Sequence, residues 1–147
     1  MILEVLQVND EINVIFTDID GVLNLNLPHT TNWNPTSIEI YNRICKDFDL
    51  KPVISSTWRV KNSIKDLQRV FDYWGIEAEI YDVTPVLYTE PRGVEIDTWL
   101  RENWCDKWVV IDDNISGITP YVSNVVKCRG WLGLTEDEYL EIKRILS

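Results

Sequence analysis

Short apolar runs alternate along this chain with stretches of helical spacing. Val14-Ile15-Phe16 with the β-branched Thr17 is a short apolar run, the mark of a buried strand, and it stops abruptly at Asp18-Ile19-Asp20-Gly21. Upstream, residues 2–8 read as an extra edge strand closed by a turn at Asn9-Asp10. Asn34-Pro35 predicts an N-cap with proline at the first helical position. Ile38, Tyr41, Ile44, Cys45 and Phe48 then recur at helical spacing. Pro52-Val53-Ile54 predicts a second buried strand, ending in Ser55-Ser56-Thr57. Ile64, Leu67, Val70, Phe71 and Trp74 form the next helical stripe, with Gly75 as its stop.

A third strand is expected over residues 77–83, followed by a loop to Pro91. Residues 93–102 read as a helix burying Ile96, Trp99 and Leu100. Trp108-Val109-Val110-Ile111 predicts a fourth strand, stopped by Asp112-Asp113, and residues 122–128 a fifth. Thr135 and Glu138 match a capping box, so a last helix spans residues 136–146. Alternation of strand and helix implies βαβ units, hence an α/β fold with a mostly parallel sheet of about five strands. Right-handed crossovers put the strand ends on one edge, where open α/β sheets bind ligands. The polar residues that stop the strands are therefore the candidates for chemistry.

At 147 residues the chain is expected to form one domain, residues 1–147, with a full hydrophobic core. Its formal net charge of −10 argues against non-specific binding to a nucleic-acid backbone, though a local basic patch could still capture one end. Part of that acidity is expected in site carboxylates, which a divalent cation would offset. Cys45, Cys105 and Cys128 lie far apart without zinc spacing and read as reduced thiols. No apolar run approaches the length of a membrane span, and the N-terminus lacks the basic start of a signal peptide. A cytoplasmic protein with no membrane partner is the expectation. Of the seven Trp, several are expected in the core and a few beside a site.

Two acids after a strand would ordinarily be an exposed turn. Here Thr17-Asp18-Ile19-Asp20-Gly21-Val22-Leu23-Asn24 resembles the first motif of haloacid dehalogenase-like (HAD) phosphatases. The chemistry is consistent. A carboxylate nucleophile splits phosphate hydrolysis into two easier steps through an aspartyl-phosphate. A second carboxyl two residues on can protonate the leaving oxygen and then deprotonate water. The resemblance therefore implies Asp18 as nucleophile and Asp20 as acid/base, both catalytic. Asp112-Asp113 resembles the fourth HAD motif. It implies a Mg²⁺ site of Asp18, the Asp20 carbonyl and Asp112, with Asp113 acting through water.

The same resemblance implies phosphoryl contacts elsewhere. Ser55 is preferred at the end of the second strand, with Ser56 as the alternative, because the strand end is not fixed within one residue. Arg59 is a candidate for phosphate or the leaving group, and Trp58 for stacking on a base. Arg92 brings positive charge to a helix N-terminus, already an anion-binding place, and stands where Lys is commoner in HAD enzymes. His29 falls in the loop after the first motif, where HAD proteins carry a flap, and is given no catalytic role.

Asp20-Gly21-Val22-Leu23-Asn24, Ser55-Ser56-Thr57-Trp58-Arg59, residues 92–100, Ile111-Asp112-Asp113-Asn114 and Gly133-Leu134-Thr135 together look like the HAD domains of Swiss Army Knife RNA-repair proteins. That resemblance implies a three-layer Rossmann-like fold and removal of phosphate from nucleic-acid 3′ or 5′ ends. Residues 25–35 and 60–91 leave no room for a large cap domain, and an open site suits a large phosphorylated substrate. The alternatives within the superfamily are a nucleotidase or a protein phosphatase. From another class, the alternative is a catalytically idle HAD fold used as a binding module. The oligomeric state is not legible.

Overall fold

A computed structural model describes residues 11–147; the strand expected over residues 2–8 and its turn lie outside the described residues. The first strand, β1 (Asn13–Thr17), is buried along its whole length. It leads to a hairpin of β2 (Asn24–Leu27) and β3 (Thr30–Trp33), paired antiparallel around a tip at Pro28-His29. The sequence reads this stretch as a loop, because strands so short and polar carry little period-two signal. Helix α1 (Pro35–Asp47) starts at the proline, but Asn34 provides no cap; its Nδ2 donates to Ser37 Oγ instead (2.8 Å).

After β4 (Leu50–Ile54) comes a single turn of helix, α2 (Trp58–Lys61), where the sequence predicts only a polar turn. Helix α3 (Ile64–Trp74) starts at Ser63, whose side chain accepts from the Asp66 N–H, and stops at Gly75 with φ 86°. Only glycine adopts that left-handed conformation at little cost. The predicted third strand shrinks to β5 (Asp82–Val83). Before it, the Glu77 N–H donates to Asn42 Oδ1 (2.9 Å) and the Ile80 N–H to Gln68 Oε1 (2.7 Å). Side chains of α1 and α3 thus satisfy backbone donors that a ladder would otherwise take.

Helix α4 (Arg92–Glu102) and strand β6 (Lys107–Asp112) follow. The fifth predicted strand is shorter too, β7 (Val125–Lys127). The Val122 N–H closes a turn on the Ile118 carbonyl (3.1 Å), and Asn124 sits at φ 60°, outside any strand. Helix α5 (Glu136–Leu146) opens with both halves of the capping box between Thr135 and Glu138.

The five long-range strands form one parallel sheet in the order β5-β4-β1-β6-β7. Period-two alternation along β1 divides the core. Ile15 packs with Tyr41 and Ile44 of α1, Phe71 of α3 and Ile142 of α5. Val14 and Phe16 face the other way, against Ile96 and Trp99 of α4 and Ile118. The Phe16 and Trp99 rings meet edge-on (5.4 Å, 82°), worth about 0.5–1.5 kcal/mol beyond area burial. The molecule is thus a three-layer, Rossmann-like α/β fold.

The chain steps from β1 through β4 to β5 by way of α1 and α3 over one face. It then returns past β1 to β6 and β7 over the other face. The direction of travel reverses between β1 and β6, so a crevice opens at the carboxyl ends of these two strands. Among the described residues, nothing larger than the β2–β3 hairpin stands between β1 and α1.

Candidate active site

The parallel registers pair Thr17 with both Ile54 and Ile111. The ladder runs one residue further: the Asp18 N–H donates to the Ile111 carbonyl (3.2 Å) and the Ser55 N–H to the Thr17 carbonyl (3.1 Å). Asp18, Ser55 and Asp112 therefore stand in one row on the carboxyl edge. Alternation from Phe16 and Val110 directs Asp18 and Asp112 toward the α4 face, where α4 begins with Arg92.

Oxygen atoms of Asp18, Asp112 and Asp113 lie within 4.8 Å of one another. Asp18 and Asp112 are only 5% and 1% exposed, so their repulsion is poorly screened. Burial, with the Asp112 carboxylate next, pushes the Asp18 carboxyl up to about 8. Asp113 is raised as well, by burial first. Arg92 Nη1 bridges two of the acids, 2.7 Å from Asp112 Oδ2 and 3.2 Å from Asp18 Oδ1. Burial works against its charge, but the two carboxylates outweigh that and hold the guanidinium protonated. One guanidinium for three packed carboxylates leaves negative charge uncompensated. An all-oxygen donor set with excess negative charge fits a hard divalent cation.

Asp20 stands outside this cluster. Its Oδ2 accepts from Trp58 Nε1 (3.1 Å) and its Oδ1 from Asn24 Nδ2 (2.9 Å), while Asn24 Oδ1 in turn accepts from the Gly21 N–H (2.9 Å). Gly21 has φ 80°, and a Cβ there would lie 2.4 Å from Asp113 Oδ2, so glycine is required both for the turn and for the approach of Asp113. On its other side Asp113 Oδ2 accepts from Asn26 Nδ2 of the hairpin (3.2 Å). Asp112 Oδ1 accepts from the Asn114 N–H (3.0 Å).

These groups border a crevice of about 490 Å³, lined by Asp18, Asp20, Arg92, Asp112 and Asp113, and also by Asn26, Thr57, Asn114 and Ser116. Five of the expected site residues thus come together. The two serines do not line the crevice. Ser55 is fully buried, and its Oγ has no hydrogen-bond partner. Ser56 Oγ accepts from the Trp58 N–H (3.2 Å), local work at the start of α2. His29 is exposed at the hairpin tip, away from the crevice.

Arg59 differs most from expectation. Instead of facing the crevice, its guanidinium is buried and fully engaged. Nε donates to the Thr84 carbonyl, Nη1 to the Ser55 and Ser56 carbonyls, and Nη2 to the Pro85 carbonyl and to Glu95 Oε1 (2.8 Å). That is all five donors an arginine has. None of its partners is within eight positions except Ser55 and Ser56, so the local sequence gives no sign of this role. Sequence reasoning also missed Thr57, Asn26 and Asn114 as lining residues. Thr57 adjoins the serine pair and Asn114 adjoins Asp113, and that proximity was the available signal; Asn26 had none.

A family model described as the HAD domain in Swiss Army Knife RNA repair proteins matches residues 14–139. The chain belongs to that family. The match spans the sheet apart from Asn13, the first residue of β1, and every acid of the crevice. Comparison with curated proteins gives no match. Membership implies a hydrolase of the HAD type, and HAD domains are in general metal-dependent, which agrees with the carboxylate cluster of this one. No helix among the described residues of this HAD domain is long and apolar enough to cross a membrane.

Proposed function

We propose that this HAD domain is a Mg²⁺-dependent phosphomonoesterase that removes terminal phosphate from nucleic-acid ends through an aspartyl-phosphate on Asp18. One observation carries the reading: Asp18 and Asp20 border one crevice with different partners. Arg92 and the Asp112–Asp113 pair gather at Asp18, while Asp20, outside that cluster, is anchored by Trp58 and Asn24.

Asp18 attacks phosphorus, and the bond to the leaving oxygen breaks as Asp20 gives that oxygen its proton. Water then attacks the phosphorus of the acyl phosphate and passes a proton to Asp20. Inorganic phosphate leaves and the Asp18 carboxylate is restored. Arg92 binds the phosphoryl oxygens and offsets their charge. The hydrogen bonds from Trp58 and Asn24 fix the orientation of the Asp20 carboxyl before substrate arrives. Asp18, the Asp20 carbonyl and Asp112, with Asp113 through a water, would hold Mg²⁺, which would supply the positive charge that favours an ionised Asp18 and the entry of a phosphate dianion. Nucleic-acid ends are favoured because the family is that of RNA repair proteins and no large insertion covers the crevice among the described residues.

The test is hydrolysis of para-nitrophenyl phosphate with Mg²⁺ and with EDTA, using Asp18→Asn as control, then of oligonucleotides carrying 3′- or 5′-phosphate. Metal-dependent turnover that Asp18→Asn abolishes is expected, with oligonucleotide ends preferred over free nucleotides and phosphopeptides. A preference for either of the latter would move the assignment to a nucleotidase or a protein phosphatase. No turnover of any substrate by a folded protein would point to an idle binding module.

A further inference from the structure

A second cavity, about 450 Å³, opens beside the catalytic crevice and shares Asp20 and Thr57 with it. Its other lining residues are Trp58, Val60, Lys61 and Asn62, all from α2 and the residue after it. The shared wall sets its meaning, given the proposed reaction on which this inference rests. Asp20 is the group that hands a proton to the leaving oxygen. Whatever is attached to that oxygen extends past Asp20, away from Asp18 and Arg92, and so into this second cavity.

The lining has two recognition elements. The first is the Trp58 indole, which is held rigid. Its Nε1 donates to Asp20 Oδ2 (3.1 Å) and Trp33 packs edge-on against it (5.7 Å), while the Trp58 backbone carbonyl accepts from Asn62 Nδ2 (2.9 Å). Trp33 is itself stacked on Trp74 (5.4 Å, 8°), so the indole has a firm backing. An indole fixed in advance loses little entropy when a planar group stacks on it.

The second element is Lys61. Among the described residues every arginine has a carboxylate partner and no lysine does; Arg92, with Asp18 and Asp112, is turned toward the phosphoryl group. Lys61 is exposed, and besides Arg92 it is the only cation lining either cavity. On a chain of net charge −10, an unpaired ammonium beside the leaving-group path is a local exception to a repulsive surface.

We infer that the cavity of Thr57, Trp58, Lys61 and Asn62 is a leaving-group subsite for the terminal nucleoside of a single strand, with its base on the Trp58 indole and its inner phosphodiester against the Lys61 ammonium. A para-nitrophenyl group fills only the aromatic half. A mononucleotide lacks the inner phosphodiester. An oligonucleotide uses both halves, so Lys61 sets the preference for polymer over monomer.

The experiment compares wild type, Lys61→Glu and Lys107→Glu. Lys107 opens β6 at the opposite edge of the sheet and makes the same change in net charge. Two quantities are read for each protein. The first is kcat/KM for a phosphorylated tetranucleotide relative to the matching mononucleotide, as a function of salt. The second is the affinity of a fluorescently labelled tetranucleotide by anisotropy, which needs no turnover. The inference expects Lys61→Glu to lower the tetranucleotide preference about tenfold and to flatten its log–log salt slope by about 0.7, the share of one single-strand phosphate, while Lys107→Glu keeps the wild-type ratio. Affinity for the labelled strand falls in parallel. Equal ratios and equal affinities in all three proteins would overturn the subsite, even where every protein hydrolyses phosphate. Equal loss in both variants would reduce the effect to net charge and overturn it as well. A phosphopeptide whose cleavage depends on Lys61 as strongly as the oligonucleotide's would overturn the nucleoside assignment. If no substrate turns over, the proposed function fails separately, and the anisotropy titration still decides this inference.

Discussion

Arg59→Ala removes a guanidinium whose five donors hold together three segments: the end of β4, the Thr84-Pro85 stretch and α4 through Glu95. The side chains of Arg59 and Glu95 are only 2% and 10% exposed. Breaking a buried pair from one side leaves an uncompensated charge and costs about 3–5 kcal/mol. Glu95 keeps one partner, the Leu87 N–H on Oε2 (2.8 Å), and water can reach part of the vacated space, so about 4 kcal/mol is the working value. For a domain of ordinary stability, about 5–15 kcal/mol, that is a large fraction. The assay is urea unfolding followed by tryptophan fluorescence, with the slope checked for constancy. A fall in Tm of about 10 °C should accompany it. Arg59→Met with Glu95→Leu should recover most of the loss, since the stranded charge goes with its partner. A phosphate ligand would behave in the opposite way, raising KM with stability intact. A loss below about 1 kcal/mol for Arg59→Ala would refute the argument.

Ser55→Ala removes a buried hydroxyl that has no partner, so stability should stay within about 0.5 kcal/mol of wild type or rise. Ser56→Ala takes an acceptor from the Trp58 N–H and should cost about 1 kcal/mol in urea unfolding. If Ser55 serves the phosphoryl group, its variant loses about tenfold in kcat/KM at unchanged Tm; no loss assigns that contact to Thr57. The metal-free protein should also show a pH signature from Asp18. Its folded value is raised to about 8, burial first and Asp112 next, so the folded state holds a proton that the unfolded state releases near pH 4. The resulting stability is complete below about pH 4 and is lost as pH climbs toward 8. Urea unfolding in EDTA between pH 5 and 8 should show the loss in wild type and not in Asp18→Asn. A rise with pH specific to wild type would reverse the assigned direction.

Much of this protein is decided by short-range rules and is therefore legible in the chain. The unbroken apolar run of β1 specifies a strand buried on both faces, Gly75 supplies the left-handed stop of α3, and Thr135 with Glu138 caps α5. The acids of the crevice are legible as well. Asp18, Asp20, Asp112 and Asp113 terminate apolar runs, and in a parallel sheet such ends share an edge.

Tertiary structure alone decides the partners of these groups. Arg59 and Arg92 are both cations near site motifs. Sheet order puts Glu95 and two loop carbonyls around the first, and Asp18 with Asp112 against the second. Ser55 and Ser56 are identical in type. The ladder to Thr17 leaves the first hydroxyl without a partner, while the turn into α2 occupies the second. The lengths of β5 and β7 were likewise settled by distant acceptors and one left-handed Asn124. Propensity and periodicity act over a few residues. The energy of a charge or an unpaired hydroxyl depends on burial and on groups tens of positions away, and only the packed sheet brings those groups within reach.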